Sequence, residues 1–160
     1  MDLRNLSGAR DAAVVASWPA SAQECRRWCA RDQVSARVVA GWSDTPDVVA
    51  YRAVVDGALV GYGELWLDDE EAEVELARLI VAPSCRGQGI GRRLVTALTA
   101  EALARHSAVF VRVWPDNLPA LRCYAGAAFV PVPADDADEW NRAQPVPYVW
   151  LRYAPQAGPQ

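Results

Sequence analysis

Three glycines stand at alternate positions in the stretch Cys85-Arg86-Gly87-Gln88-Gly89-Ile90-Gly91. The apolar run before them favours a strand, and Leu94, Val95 and Leu98 recur after them at helical spacing. Glycines let backbone N–H groups converge, and the first turn of a helix has N–H donors without intrahelical partners. The pattern therefore predicts an anion-binding loop between a strand and a helix.

The flanking charges and the spacing of the glycines indicate which kinds of anion this loop could bind. Arg86, Arg92 and Arg93 flank the glycines, and positive charge in the first turn of a helix opposes the helix dipole unless an anion binds there. A dinucleotide fingerprint needs G-x-G-x-x-G and an ATP-binding P-loop needs a lysine. This loop reads G-x-G-x-G and the chain contains no lysine, so both nucleotide sites are disfavoured.

A second motif lies further along the chain, from Asp116 to Tyr124, and is followed by Gly126 to Pro131. Together with the R-x-x-G-x-G pattern of the loop, it resembles the two signatures of the GNAT superfamily, the Gcn5-related N-acetyltransferases. The resemblance covers roughly Glu73 to Val132. It implies an α/β fold with a mixed, mostly antiparallel central sheet flanked by helices. It also implies acetyl-CoA as the acyl donor and an amine as the acceptor.

The resemblance assigns cofactor binding to the strand before the loop, to the loop itself and to the start of the second motif. The strand would hydrogen-bond the pantetheine arm through its backbone, and the loop would hold the pyrophosphate. Asn117 is expected to cap its helix, because asparagine is a preferred N-cap residue, and to contact the cofactor. The assigned residues are Leu79, Ile80, Val81, Arg86, Gly87, Gln88, Gly89, Ile90, Gly91, Arg92 and Asn117.

Amide formation from a thioester requires a neutral amine and a proton for the leaving thiolate. Tyr124 follows Asn117 by seven residues, the spacing at which relatives with a tyrosine acid carry theirs, and a phenol can protonate a thiolate. For the base, the resemblance to the histone-acetyltransferase branch favours Glu75, eleven residues before the loop arginine. Glu73, Glu64 and ordered water remain alternatives. The predicted catalytic residues are thus Tyr124 and Glu75, and no metal is expected.

Two features of the sequence bear on the acceptor. Trp28, Trp66, Trp114 and Trp140 are candidates for the wall of an acceptor pocket, and the run from Asp135 to Glu139 is acidic. The formal net charge is −4, with 20 acidic and 16 basic residues, which disfavours nucleic acid as a partner. We therefore expect a small polar or cationic amine, acetylated by direct transfer in a ternary complex. The alternative function is a non-catalytic acyl-CoA-binding sensor or partner module.

Length and composition suit one folded domain, since 52% of the 160 residues are hydrophobic. We predict a single acetyltransferase domain over 1–153 and a disordered tail over 154–160. No apolar run is long enough for a membrane span, and the first residues lack the apolar core of a signal peptide. The expected location is the cytoplasm, and the resemblance admits a homodimer.

Turn and capping signals divide the chain into elements that must position these residues. Ser21 to Glu24 reads as a capping box that opens a helix ending near Ala30, and Asp56-Gly57 predicts a hairpin between two strands. Ala134 to Pro147 is predicted to be a loop. The predicted strands are Leu3 to Leu6, Val48 to Val55, Leu59 to Leu67, Ala72 to Val81, Ala108 to Val113, Ala128 to Val132 and Val146 to Tyr153. The other predicted helices are Asp11 to Ser17, Ile90 to about Arg105 and Asn117 to Tyr124.

Overall fold

The computed structural model describes residues 1–6 and 8–155. The strands are β1 (Asp2–Asn5), β2 (Val48–Val55), β3 (Ala58–Asp68), β4 (Glu73–Val81), β5 (Ala108–Val113), β6 (Phe129–Pro131) and β7 (Val149–Tyr153). The helices are α1 (Gly8–Ala16), α2 (Ala22–Cys29), α3 (Ala36–Trp42), α4 (Ile90–Leu103), α5 (Leu118–Ala125) and α6 (Ala134–Asn141). A short 3-10 helix, Pro83–Cys85, precedes α4.

One sheet holds the seven strands in the order β1-β2-β3-β4-β5-β7-β6. Neighbouring strands pair antiparallel except β4 and β5, which are parallel. Helix α4 makes the crossover between these two strands, as a parallel connection requires. The expectation of a mixed, mostly antiparallel sheet flanked by helices is confirmed.

The hairpin between β2 and β3 forms at the predicted turn. Asp56 has φ 50° and Gly57 has φ 80°, so both central residues adopt the left-handed backbone of a type I′ turn. This turn matches the twist of the strands and pairs Val55 with Ala58 and Val54 with Leu59. A register shift between Val54 and Ala53 then gives the pairing of Tyr51 with Gly63. The register determines which side chains share a face further along β3.

Two apolar cores flank the sheet. One lies under α4 and α5 and contains Leu94, Leu98, Val109 and Val111. The other lies under α1, α2 and α3 and is rich in aromatic side chains. Helix α2 begins as predicted, because the Ser21 side chain accepts a hydrogen bond from the backbone N–H of the third helical residue.

Two helices differ from the predicted elements. Helix α3 has no predicted counterpart, and α6 occupies the first half of the segment predicted to be a loop. Asp135 and Asp136 lie in the first turn of α6, where the helix dipole favours acidic residues. The Trp140 ring packs edge to face on the rings of Phe110 and Trp150. These contacts half-bury the Trp140 side chain and hold a segment of polar composition as a helix. Strand β7 begins at Val149 instead of Val146.

The end of the described chain is tied to the sheet. The backbone N–H of Ala154, the first residue of the predicted tail, donates to the carbonyl of Ala128. Residues 156–160 of that tail lie outside the described residues. No helix among the described residues has both the length and the apolar character needed to cross a membrane.

Candidate active site

A β-bulge interrupts β4 close to the middle of the sheet. Two residues of β4, Arg78 and Leu79, together face Gly63 of β3, and Arg78 has φ 48°. A side chain at the facing position has no room, since a Cβ on Gly63 would lie 2.6 Å from Cδ1 of Leu98. The bulge redirects the second half of β4 away from its regular course.

The parallel pairing of β4 with β5 ends at Leu76 and Val111, although both strands continue. The strands diverge beyond this point and leave a central cleft of about 360 Å³. Its floor consists of the unpaired edges of the two strands. The lining includes Arg26, Arg27, Trp28, Trp66, Glu75, Arg78, Leu79, Arg112, Trp114, Asn117, Tyr124, Gln144 and Tyr148.

A narrower channel of about 170 Å³ adjoins the cleft between β4, α4 and α5. Leu79, Ala120 and Tyr124 line both cavities. At Gly91 the channel passes close to α5, because a Cβ there would lie 3.5 Å from Sγ of Cys123. The channel therefore leads from the start of α4 to the central cleft, and its other lining residues are Ile80, Val81, Leu94 and Val95.

Tyr124 lies where the channel meets the cleft. Its ring is buried and packs edge to face on Phe129, with the ring centroids 5.7 Å apart. Burial raises the pKa of the Tyr124 phenol well above its ordinary value of 10.0, and the nearby Cys123 and Glu75 raise it further. The phenol is therefore protonated at neutral pH, which is the state that a proton donor needs.

Asn117 caps α5, as predicted. Its side-chain oxygen accepts a hydrogen bond from the backbone N–H of Ala120 at 3.3 Å. Tyr124 follows by seven residues, about two helical turns, so both side chains lie on the same side of α5 and both line the cleft.

The Glu75 carboxylate lies in the cleft but is bound by Arg112. Nε of Arg112 is 2.5 Å from Oε1 of Glu75, and Nη2 is 2.7 Å from Oε2. Burial lowers the pKa of Arg112, but the hydrogen bonds and charge of Glu75 outweigh it and raise that pKa overall. Each carboxylate oxygen of Glu75 accepts one hydrogen bond from Arg112 and keeps a second lone pair that could accept a proton.

The two alternative carboxylates lie elsewhere. Glu64 is fully buried, and its oxygens accept hydrogen bonds from the Tyr62 hydroxyl at 2.5 Å, Trp66 Nε1 at 2.6 Å and Arg78 Nη1 at 3.1 Å. It has no surface on the cleft. Glu73 lines a neighbouring cavity instead of the cleft. Of the three glutamates considered from the sequence, only Glu75 lines the same cavity as Tyr124.

The glycine loop has the backbone that its sequence indicates. Gly87 and Gly89 have φ values of 73° and 77°, and Gly89 is the N-cap residue of α4. The Arg86 guanidinium is held by the protein, since Nη2 lies 2.6 Å from Oε1 of Glu24 and Nε donates to the carbonyl of Val81. The donors that the loop offers are therefore mainly the backbone N–H groups at the start of α4.

Three of the four tryptophans considered for the acceptor side, Trp28, Trp66 and Trp114, line the cleft. The fourth, Trp140, lines the neighbouring cavity. The acidic side chains between Asp135 and Glu139 are exposed on α6. Among residues 1–6 and 8–155, no three His, Cys, Asp or Glu side chains are grouped as a metal site.

The arginines of the cleft could not be found from the sequence. Each forms an ion pair, and two of the pairs join residues far apart in the chain. The Arg27 guanidinium pairs with the exposed carboxylate of Asp116 and holds the pKa of that carboxyl below its ordinary value. The paired arginines of the cleft are Arg26 with Asp32, Arg27 with Asp116, Arg78 with Glu64 and Arg112 with Glu75.

Comparison with known proteins agrees with this geometry. Residues 11–129 match the family model described as the acetyltransferase (GNAT) family. The chain therefore belongs to the GNAT family of acetyltransferases, enzymes that use acetyl-CoA as the acyl donor. It is 35% identical over 109 residues to a mycothiol acetyltransferase of Streptomyces griseus and 36% identical over 100 residues to one of Clavibacter sepedonicus. These alignments cover 68% and 62% of this chain, but only 33% and 32% of the relatives, so the chain spans about a third of their length.

Solved structures share the fold over most of the chain. The aminoglycoside acetyltransferase AAC(6')-Ib with ribostamycin and coenzyme A gives a TM-score of 0.74 at 21% identity, covering 96% of this chain and 93% of that one. The spermidine N-acetyltransferase of Vibrio cholerae with CoA and spermine gives 0.71 at 17% identity, covering 82% of each chain. At these identities the likeness demonstrates the fold alone.

Proposed function

We propose that this chain transfers the acetyl group of acetyl-CoA directly to an amine in a ternary complex. The observation that carries the proposal is the position of Tyr124 between an apolar channel and a wider cleft. A thioester brought through the channel and an amine in the cleft would meet beside this phenol. No covalent acyl-enzyme is needed, because both reactants reach the same point.

The channel and the glycine loop are proposed to bind the donor. The pantetheine arm would lie along Leu79, Ile80 and Val81, the part of β4 that β5 leaves unpaired. The backbone N–H groups at the start of α4 would hold the pyrophosphate, since they lack intrahelical partners and the helix dipole is positive there. The residues assigned to the phosphates are Arg86, Gly87, Gln88, Gly89, Ile90, Gly91 and Arg92. Asn117, which caps α5 and lines the cleft, is also assigned to the cofactor.

Tyr124 is proposed to donate the proton that the leaving thiolate of CoA requires. The nitrogen of the acceptor attacks the thioester carbonyl, the C–S bond breaks, and the phenol proton passes to sulfur. The raised pKa of Tyr124 keeps that proton in place at neutral pH. The tyrosine is then reprotonated from the proton that the nitrogen releases.

Glu75 is proposed to accept, through a bridging water, the earlier proton that an acceptor ammonium loses to become a neutral amine before attack, and to release that proton to solvent. It is the carboxylate that lines the cleft with Tyr124, and its contact with Arg112 fixes its orientation. The cleft is also lined by Trp28, Trp66 and Trp114, which exclude bulk water from the reacting atoms. The acceptor is proposed to be a small polar or cationic amine.

The proposal is tested by release of free CoA thiol from acetyl-CoA in the presence of a panel of primary amines. Tyr124→Phe should lower kcat by about a hundredfold, the magnitude typical of general acid catalysis. Tyr153→Phe is the matched control, because Tyr153 packs on Phe129 from β7 and does not line the cleft. Equal kcat for wild type and Tyr124→Phe would remove Tyr124 from the mechanism, and acetyl-CoA binding without turnover of any amine would favour the non-catalytic binding module.

A further inference from the structure

A third cavity lies beside the cleft, on the face of the sheet opposite α4. Its volume is about 350 Å³, and four aromatic side chains line it, namely Trp66, Phe110, Trp140 and Trp150. The Trp140 ring meets Phe110 with centroids 5.5 Å apart and Trp150 with centroids 5.2 Å apart, both edge to face. These contacts fix the rings as the walls of a pocket, which we call the aromatic cavity.

The ionisable side chains that line the aromatic cavity are carboxylates, those of Asp68, Glu73 and Glu75. Glu75 is neutralised by Arg112. Asp68 and Glu73 lie directly opposite each other in β3 and β4. No ion pair joins either of them to a basic side chain among residues 1–6 and 8–155. The Arg112 guanidinium already lies over the Trp150 and Trp66 rings, 4.7 Å and 5.7 Å from their centroids. The cavity therefore offers a further cation the rings of Phe110 and Trp140 together with the unneutralised carboxylates of Asp68 and Glu73.

Nearby acidic residues make the electrostatic potential of the aromatic cavity more negative. Asp69, Glu70 and Glu71 occupy the turn between β3 and β4, and His106 contacts Asp69 at 2.6 Å. Burial, Glu71 and Asp68 together raise the pKa of Glu73 above its ordinary value. A cation beside Glu73 would offset both the cost of burying its charge and the repulsion from Glu71 and Asp68. The neighbouring Arg152 is exposed on β7 and does not line the cavity.

We propose that the aromatic cavity binds a second ammonium group of the acceptor, separate from the nitrogen that is acetylated. The inference rests on the proposed function, since the acetylated nitrogen must lie in the adjoining cleft. Aromatic faces attract cations, and a carboxylate adds a charge-assisted contact. Trp66 and Glu75 line both cavities, so one extended molecule can occupy the two.

The separation of the two cavities sets the length of such an acceptor. Glu73 precedes Ala77 by four residues of β4, and Ala77 lines the cleft where the strands diverge. Four residues of strand span about 13 Å, so an acceptor with its acetylated nitrogen beside Ala77 and its second nitrogen beside Glu73 would separate the two by on the order of 10 Å. Long diamines meet this requirement and short ones do not.

Binding is tested without catalysis by titrating acetyl-CoA-loaded protein with choline and with neohexyl alcohol, its uncharged carbon isostere. Choline should bind about tenfold more tightly, as expected for a cation among aromatic rings. Glu73→Gln should remove the difference, whereas Glu71→Gln should preserve it, because Glu71 is exposed and does not line the cavity. Equal binding of choline and neohexyl alcohol to the wild-type protein would overturn the proposal.

Turnover assays with diaminooctane, octylamine and diaminopropane test whether one acceptor molecule spans the two cavities. Wild-type kcat/KM should be about tenfold higher for diaminooctane than for octylamine, because the second ammonium group lowers KM. Diaminopropane is too short to place its second ammonium group in the aromatic cavity and should show no such gain. Glu73→Gln should abolish the gain, whereas Glu71→Gln, outside the cavity, should leave kcat/KM for both amines unchanged. Trp140→Leu, which removes a wall without changing charge, should reduce the gain in the same selective way.

Different experimental results would overturn the acetyltransferase proposal and the cation-site proposal. Absence of acetyl-CoA binding, or of CoA release with every amine, would overturn the acetyltransferase proposal. Equal kcat/KM for diaminooctane and octylamine would overturn the cation site alone. An equal loss of kcat for both amines in Glu73→Gln would also overturn it, because Glu73 would then act on the chemical step.

Discussion

The Glu64 carboxylate has no exposed surface and lies 3.1 Å from Nη1 of Arg78, the residue whose positive φ forms the bulge of β4. The ion pair therefore acts on the backbone that opens the cleft. Trp28 supports the same residue, because its Nε1 donates to the carbonyl of Arg78 at 2.7 Å. The guanidinium also lies over the Trp42 ring, 4.2 Å from its centroid. Side chains from three elements thus hold the bulge in place.

Glu64→Gln should destabilise the protein, because it leaves the Arg78 guanidinium without its charged partner in a mostly buried position. We expect a loss of about 2 kcal/mol or more in the free energy of unfolding, measured by urea denaturation. Adding Arg78→Met should recover part of that loss, since no buried charge then remains unpaired. A double variant that is less stable than Glu64→Gln would show that Arg78 stabilises the bulge without needing the ion pair.

Gly91→Val should weaken acetyl-CoA binding while the protein stays folded. A Cβ at this position lies at ordinary contact distance from Cys123 Sγ and Val81 Cγ2, so the backbone tolerates it, but the larger branches fill the channel. We expect the Kd for acetyl-CoA to rise about tenfold or more, roughly 1.4 kcal/mol. Gly41→Val, at an open position on α3, is the matched control. Unchanged affinity would mean that the donor does not use this channel.

Glu75→Gln should lower kcat by about tenfold to a hundredfold, the range expected when a proton acceptor is removed. The defect should shrink as pH rises, because a larger share of the amine is then already neutral. Acetyl-CoA affinity should not change. A defect independent of pH would make Glu75 a positioning residue that acts through Arg112, and full activity would leave water as the proton acceptor.

The stability of the protein should fall above pH 10. The pKa values of Tyr62 and Tyr124 are both raised in the folded state, chiefly by burial, from an ordinary value of 10.0. Only the unfolded chain ionises these phenols readily, so the stabilisation is fully present below pH 10 and declines as pH rises further. Urea midpoints between pH 8 and pH 11 measure the effect. Tyr124→Phe should flatten this decline, and an unchanged slope would contradict the assignment.

The sequence allowed prediction of the local features of this fold. Ser21 and Asn117 cap their helices, and Asp56-Gly57 forms the hairpin turn, because each signal depends on backbone groups a few residues away. Helix α3 carries a valine pair and a glycine, which have low helix propensity, and it is stabilised by the burial of Val39 and Trp42. Such burial depends on tertiary packing, and the local signal of α3 that the prediction missed is its N-cap, Ser35, whose side chain accepts a hydrogen bond from the Val38 backbone N–H.

The candidate site was predictable only in part, because some of its residues are brought together by tertiary structure. The glycine loop and the spacing of Asn117 and Tyr124 are patterns within short segments. The pairing of Glu75 with Arg112 depends on the register of β4 and β5, and that of Glu64 with Arg78 on the bulge. A bulge of one residue changes which side chains share a face. The aromatic cavity likewise depends on α6, whose polar composition predicted a loop.

Calorimetric titration of the purified protein with acetyl-CoA, with ATP and NAD as controls, is the most direct test of donor binding. We predict saturable binding of acetyl-CoA at one site per chain and no binding of either control. Failure of acetyl-CoA to bind protein that is shown to be folded and free of co-purified CoA would contradict the account, since both the proposed transfer and the cation site depend on that donor.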